Sequence, residues 1–377
     1  MTAPAAVGIN LLWLVPGQVG GSEESTVATL HALRALAPPD LALQLFALEP
    51  FAAAHPDLVA TFPTTLLSHA GGSRLARIAA ESSWLATRTR GLDLVHHAGG
   101  TAPLRAGAPY VLTIHDLQPL ERRATHGGVK RAYLSAVLPR AVKGARGIAV
   151  PSDFVRSSVL QRFGADPRRV VTIPHGVSAG RTEAATAEDV RARYRLSGPV
   201  VLYPAITYPH KDHATLVGAF ALVRQHHPEA VLVLTGGEGA CEREVADQID
   251  RLGLRASVRR TGRIPTADVA GLYSVASVVA VPSTYEGFGL PAAEAMAAGV
   301  AVVAARDTAI PEVVGDAGVL VPPGDVTAWA AAIGALLDDG EERVRLAGLG
   351  RLRVEQFTWE ANAEGFAALY RRAVAGA

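Results

Sequence analysis

The chain has 377 residues, 49 % of them apolar, and a formal net charge of +1. That length is long for one domain and comfortable for two, and the apolar fraction supports sizeable cores. The near-neutral charge excludes a global attraction to nucleic acid or to an acidic membrane, and the single cysteine, Cys241, excludes internal disulfides and a cysteine metal cluster, as suits a reducing cytosol.

Met1 to Pro16 lacks the basic start of a secretory signal, and its apolar run reads as a first strand through Val7-Gly8-Ile9-Asn10-Leu11-Leu12. No stretch approaches the roughly 18–20 apolar residues that span a bilayer. A glycine turn with Gly20 and Gly21 follows, then a helix of period near 3.6 through Val27, Leu30, Leu33 and Leu36, with Ser22 expected as its N-cap. This is half of a Rossmann-like unit, but the turn is not G-x-G-x-x-G, so a dinucleotide is not indicated. Residues 41–48 read as a strand, 73–89 as an amphipathic helix, 92–97 and 109–114 as strands, 129–143 as a helix, 147–151 as a strand before a helix capped by Ser152, and 170–174 as a strand. Strands alternating with helices predict a parallel, doubly wound α/β domain. His115-Asp116 stands at a strand end. His96-His97 and His226-His227 have no such context and read as ordinary surface or core pairs. His210 and His213 have metal-like spacing but no third ligand in view.

Residues 180–189 are small and polar and read as a linker. A second α/β domain follows. Its first strand, 199–204, leads into a loop with Ala205 and Lys211 and then a helix with Leu216, Phe220 and Val223. Further strands are expected at 230–235, 257–263, 276–281, 299–304 and 317–321. The most informative stretch is Pro282-Ser283-Thr284-Tyr285-Glu286-Gly287-Phe288-Gly289-Leu290-Pro291-Ala292-Ala293-Glu294. It follows an apolar strand, and it precedes a helix for which Pro291 suits the start and Gly299 the end. Gly287 and Gly289 let the backbone approach a ligand. The N–H groups of residues 288–292, Pro291 aside, are expected to point outward at the helix N-terminus and to suit an anion, most plausibly phosphate. Glu286 and Glu294 beside an anion make sense if the ligand also carries hydroxyls, as a sugar nucleotide does. Trp359, Phe366 and Tyr370 recur at helical spacing near the C-terminus and read as core.

The Glu286-x7-Glu294 spacing and the residues around it resemble the family-four retaining glycosyltransferases, the glycogen-synthase-like enzymes of GT-B fold. The resemblance spans nearly the whole chain. It is strongest from Pro282 to Gly299 and weakest between residues 50 and 90. It implies two Rossmann-like parallel-sheet domains facing a cleft. Residues 1–178 would form the acceptor side, 190–355 the nucleotide-sugar side, and 356–377 a helix crossing back to the first domain. By the same resemblance Gly20 and Gly21 approach the donor phosphates, His115 contacts the transferred sugar near its reacting carbon, and Lys211 meets the donor diphosphate. Gly287, Phe288, Gly289 and Leu290 cradle that diphosphate, Glu286 binds sugar hydroxyls, and Glu294 binds the ribose. The family also carries an arginine in the Lys211 loop. Here that position falls at Ala205, as in bacterial mannosyltransferase-like members, leaving His210, Arg263 or a residue of the first domain as the second cation.

The expected function is transfer of a hexose from a nucleoside-diphosphate sugar, GDP-mannose or a UDP- or dTDP-hexose, to a hydroxyl of a glycan, lipid-linked glycan or natural product, with retention. The expected setting is cytoplasmic, with peripheral contact at the inner membrane face through the acceptor. The chain has no D-x-D pair, so no metal is expected and no cofactor beyond the co-substrate. A glycosidase carboxylate pair is disfavoured, since glycoside hydrolysis needs neither an amide cradle nor a lysine for a diphosphate. Two other readings stay open, a sugar-nucleotide 2-epimerase of the same architecture and a catalytically silent sugar-nucleotide-binding subunit.

Overall fold

The computed structural model describes residues 3–18, 20–69, 71–122, 128–177 and 184–376. The chain separates into two compact units, residues 1–176 with 357–377, and residues 177–356. Ser178 and the first part of the expected linker, up to residue 183, lie outside the described residues.

The first unit holds β1 (Ala5–Asn10), β2 (Leu41–Leu48), β3 (Thr64–Leu67), β4 (Leu94–His97), β5 (Tyr110–Thr113), β6 (Gly147–Val150) and β7 (Val170–Thr172). They form one sheet in the order β3-β2-β1-β4-β5-β6-β7, parallel throughout. Helices cover such a sheet on both faces, so its strands read as apolar runs and not as alternating ones. Val7, Ile9, Leu43, Leu45, Leu94 and Val111 pack in one core, and Leu112, Ile114, Ile148 and Val150 in another. β3 is missing from the sequence reading. Its Thr-Thr-Leu-Leu segment is four residues long and lies at the sheet edge, where half-burial leaves a weak apolar signal.

The helix Trp359–Ala375 belongs to the first unit and buries Ala363, Phe366, Ala367, Leu369 and Tyr370 against its core. Polar bonds fix it there. The Thr29 hydroxyl donates to Asn362 Oδ1 at 2.8 Å, Arg146 Nη1 donates to the Ala373 carbonyl at 2.9 Å, and Arg371 forms a bidentate pair with Asp40. Tyr370 reaches His96, whose Nδ1 lies 2.8 Å from the Tyr370 hydroxyl and whose Nε2 lies 2.7 Å from that of Thr113. Burial pushes His96 down to about 3, so this histidine is a neutral core residue.

The second unit holds β8 (Val200–Pro204), β9 (Val231–Thr235), β10 (Val258–Gly262), β11 (Val278–Val281), β12 (Ala301–Ala305) and β13 (Val319–Val321). The order is β10-β9-β8-β11-β12-β13, again parallel. Val200 to Tyr203, Val278 to Val281 and Val302 to Ala305 are fully buried. In both sheets the order reverses once, between β1 and β4 and between β8 and β11. The connections on either side of such a switch point diverge to opposite faces and open a crevice at the carboxyl ends of the strands, where open α/β sheets bind ligands.

The helix expected over 73–89 is interrupted. Ser73 caps an α-helical stretch Arg74–Ala80, and a π turn occupies Glu81–Leu85 before a last short turn. The π turn seats Glu81 inside the fold, 7 % exposed, where it accepts from Asn10 Nδ2 at 2.9 Å. Inserted π turns of this kind recur at functional positions. Burial pushes the Glu81 carboxyl up to about 7, against the opposing pull of the Asn10 amide and the Arg77 charge. A carboxyl raised on folding lends its full stability below its unfolded pKa, near 4.5, and loses it as pH rises through about 7. Glu81→Gln, isosteric and uncharged, is therefore expected to gain stability over the wild type at pH 8.5 but not at pH 4. The limiting gain is about 3 kcal/mol, read by denaturant melts, and an equal offset at both values refutes the assignment.

Candidate functional site

In the second unit the site is built on the switch point between β8 and β11. The loop after β8 carries Lys211 in a single 3-10 turn, Pro209–Lys211, and Asp212 then caps the helix His213–His226 through Oδ1 to the Thr215 amide at 3.3 Å. The loop after β11 carries Glu286. Lys211 Nζ donates to Glu286 Oε1 at 2.6 Å, with the two side chains 17 % and 12 % exposed. Burial alone pushes the Glu286 carboxyl up. The Lys211 charge and hydrogen bond, with Ser283 and the more distant His210, outweigh that and hold it below the usual carboxylate value. Glu286 is therefore held as the carboxylate.

The loops that present this pair are tied together below it. The buried Tyr203 hydroxyl donates to the Lys211 carbonyl at 2.8 Å and lies 2.8 Å from Ser283 Oγ. The Thr284 amide donates to the His210 carbonyl at 2.7 Å. The Glu286 amide donates to Thr308 Oγ1 at 3.0 Å. Thr308 has φ 54°, a left-handed conformation that a β-branched residue adopts only when its surroundings impose it. Gly289, at φ 99°, is the N-cap of the helix Leu290–Ala297. On that helix Glu294 Oε2 accepts from the Tyr273 hydroxyl at 2.9 Å. The expected row of outward amides is shorter than the sequence suggests. The Ala292 N–H bonds back to the Gly289 carbonyl at 3.0 Å, because Gly289 as N-cap already accepts the first helical bond. The Ala292 N–H is thus engaged in the first turn of the helix and does not join the expected row of outward amides.

Arg263 follows β10, and its guanidinium lies over Gly237, where a Cβ would stand 3.8 Å from Nη2. Ala205 abuts Gly236 in the same cluster of strand ends, where a Cβ on the glycine would stand 2.5 Å from the Ala205 carbonyl oxygen. His213 is buried beneath Tyr203, ring centres 4.8 Å apart, and burial lowers it to about 4. Among the described residues no group of three or more His, Cys, Asp or Glu side chains is placed to hold a metal ion, and no helix is long and apolar enough to cross a membrane.

In the first unit the candidate residues follow β1 and β5, at the carboxyl edge of the sheet. The helix Gly21–Leu36 starts at Gly21 with Gly20 as N-cap, φ 73°. Ser22 is not the cap, as its position before the apolar stripe suggested. It lies inside the first turn, and its carbonyl accepts the hydroxyls of Ser25 and Thr26 at 3.2 and 2.7 Å. The glycine cap leaves the entry to the helix without a side chain. His115 stands just past β5. Its Nε2 donates to the Ala98 carbonyl at 3.0 Å, and its ring is flanked by Trp13 and His175 with centres 6.0 and 6.1 Å away. Burial lowers its pKa, against the opposing pull of the Ala98 carbonyl, so the ring is neutral.

Sequence reasoning passed over Trp13, His175, Tyr203, Tyr273, Ser283 and Thr308. Ser283 lies within the quoted motif itself and Tyr203 two residues before Ala205, a proximity that flags them. Tyr273 and Thr308 join Glu294 and Glu286 only through tertiary contacts. With Lys211→Met the influence left dominant on Glu286 is burial. Its carboxyl is then expected to titrate above the ordinary carboxylate value instead of below it. A carboxylate NMR titration of wild type and variant checks this, and an unchanged midpoint contradicts the pairing.

Residues 188–353 match the family described as Glycosyl transferases group 1, and residues 19–181 match Glycosyltransferase Family 4. The O-antigen chain mannosyltransferase B of Escherichia coli is 34 % identical over 258 residues, covering 66 % of this chain and 67 % of its own length. The MMP alpha-(1->4)-mannosyltransferase of Mycolicibacterium hassiacum is 32 % identical over 311 residues, covering 77 % and 73 %. Among solved structures, Anabaena Alr3699/HepE in complex with UDP and glucose superposes with a TM-score of 0.77 at 21 % identity, over 97 % of this chain and 98 % of that one. Two parallel-sheet units, the carboxylate–lysine pair at a switch point and these relatives agree, and the chain belongs to the family-four glycosyltransferases of GT-B fold.

Proposed function

We propose that the protein moves a hexose from a nucleoside-diphosphate sugar to an acceptor hydroxyl with retention of anomeric configuration and without a metal ion. The observation that carries this reading is the close Lys211–Glu286 pair, 2.6 Å apart, set beside the glycine-capped helix at the β8/β11 switch point. A departing diphosphate needs positive charge and amide donors already in place. Lys211 and the amides around Gly287, Phe288, Gly289 and Leu290 supply them, with Gly20 and Gly21 as further backbone donors. Glu286 accepts hydrogen bonds from the sugar and orients C1, Glu294 accepts them from the ribose, and neutral His115 contacts the sugar near C1. The bond from C1 to the diphosphate breaks, the acceptor oxygen bonds to C1 on the same face, and the acceptor proton passes to the leaving phosphate oxygen.

The donor class is supported by the neighbour solved with UDP and glucose, and a mannosyl donor such as GDP-mannose by the two mannosyltransferase relatives. The acceptor is a hydroxyl of a glycan, a lipid-linked glycan or a natural product. A lipid-linked acceptor brings peripheral membrane contact with it, and the reading places the enzyme in the cytoplasm. The direct test screens GDP-, UDP- and dTDP-sugars for release of nucleoside diphosphate with and without acceptor mixtures, and assigns the product anomer by NMR. Conversion of the donor to its 2-epimer without acceptor would instead support an isomerase, and binding without release a silent subunit.

Two expectations follow from the assigned roles. Turnover persists in excess EDTA, because the diphosphate charge is met by Lys211 and backbone amides, and activity restored only by Mg²⁺ or Mn²⁺ rules the metal-free reading out. The two glutamates separate: Glu294→Ala weakens binding of the free nucleoside diphosphate about ten- to a hundredfold, whereas Glu286→Ala leaves that binding near normal and lowers kcat by a similar factor. Calorimetry with the free diphosphate and kcat on the same preparations decide it, and an equal loss of binding in both variants counts against the roles.

A further inference from the structure

The first unit carries a cavity of about 230 Å³ that the glycosyl-transfer chemistry does not use. Its walls come from the loop between β4 and β5, from the first residue of β5 and from the helix Gly128–Gly144. The strands of this sheet all run the same way, and Tyr110 opens β5. The cavity therefore reaches the amino edge of the sheet, opposite to the carboxyl edge where Gly20, Gly21 and His115 stand.

The walls are fixed. Ala102 and Ala141 form a buried floor, with Tyr110 and Val137 half-buried beside it. The Tyr110 hydroxyl donates to the Ala141 carbonyl at 3.0 Å. It passes so close to Gly144 that a Cβ there would stand 2.4 Å from it. On the loop side the Leu104 amide donates to Ser82 Oγ at 3.3 Å. The rim is open to solvent, and Leu104 on it is 58 % exposed. Arg140 stands at the same rim, where Nη2 donates to the Leu104 carbonyl. That is its one hydrogen bond among the described residues, and it leaves four of the five guanidinium N–H groups for a ligand. No carboxylate lines the cavity. Arg105 and Lys143 adjoin the rim residues Leu104 and Gly144 in the chain, and neither has an ion-pair partner among the described residues.

We propose that this cavity binds a small anionic amphiphile, a medium-chain carboxylate, with its apolar body against Ala102, Tyr110 and Val137 and its carboxylate on the Arg140 guanidinium. Mostly apolar walls with one well-placed polar group are the usual make-up of a small-molecule site. A closed apolar cavity of about 150 Å³ takes up benzene, so one of this size has room for an apolar body of roughly eight to ten non-hydrogen atoms. The planar guanidinium fork matches a carboxylate in geometry as well as in charge. A neutral hydrocarbon leaves Arg140 unmatched, and a bare anion leaves the apolar walls uncovered. The inference stands apart from the glycosyl-transfer reading, because no residue of that site lines the cavity.

The test titrates the full chain with sodium octanoate, octan-1-ol and sodium acetate, followed by calorimetry and by amide NMR shifts. Octanoate is expected to bind saturably at one equivalent, with shifts gathered at Ala102, Tyr110, Ala141 and Gly144. Octan-1-ol keeps the chain without the charge and is expected to bind about tenfold more weakly. Acetate keeps the charge without the chain and is expected not to saturate over the same range. Arg140→Met, which keeps the apolar stem, is expected to lose the preference for octanoate while its octan-1-ol affinity and melting temperature hold. Octanoate that does not saturate, that binds no better than octan-1-ol, or whose shifts lie elsewhere overturns the proposal, and so does a folded Arg140→Met with undiminished octanoate affinity. If that variant does not fold, the wild-type comparison of octanoate with octan-1-ol and the position of the shifts decide the matter alone.

Discussion

Parallel strand pairing with a single reversal of strand order is the constraint from which the sites follow. In each unit every strand runs the same way, so every strand-to-helix loop emerges at one edge. Where the order reverses, the two flanking loops diverge and leave a crevice. In the second unit these are the loops after β8 and β11, and they carry Lys211 and Glu286. In the first unit they are the loops after β1 and β4, which bring Trp13 and Gly99 together, and the next strand adds His115. Chemistry-bearing residues far apart in the chain therefore meet without any special device beyond the sheet order.

Charge is arranged so that it can stay in place. A largely buried carboxylate is costly unless it is paired and hydrogen-bonded. Glu286 meets both conditions through Lys211 and its neighbours, and Glu294 accepts from Tyr273. Around them uncharged groups fix the backbone: Tyr203 spans from Lys211 to Ser283, and Thr308 holds the Glu286 amide from a left-handed conformation. These supports position the ion pair before any ligand arrives, which is the condition for electrostatic stabilisation without reorganisation.

The first unit uses its histidines differently. His96 is enclosed between Thr113 and Tyr370, the latter from the C-terminal helix, and is held neutral by burial. His115, nineteen residues on in the chain, keeps one nitrogen in a backbone bond, and the other has no partner among the described residues. The same residue type is thus fully bonded in one strand and bonded through one nitrogen just past the next. Which of the two a histidine becomes depends on how many of its nitrogens the fold satisfies.

The sequence alone determined the α/β class, the two units and the strand–glycine–helix segment around Glu286, because these depend on local apolar runs, glycine turns and one dense motif. It also separated Lys211 and Glu286 from the surrounding charged surface by their places in loops at strand ends. Element borders, the edge strand β3, the π turn at Glu81 and the Gly20 cap were decided by tertiary packing, since edge burial, a seat for Glu81 beside Asn10 and the entry angle of a helix are not local properties. The same holds for the partners of the motif residues. Tyr273 is 21 positions from Glu294, Thr308 is 22 from Glu286, and Trp13 is brought to His115 only by strand order. A one-dimensional pattern records which side chains are present. Which donor meets which acceptor is set by the folded chain, because hydrogen bonds act over about 3 Å and that proximity exists only once the sheets have formed.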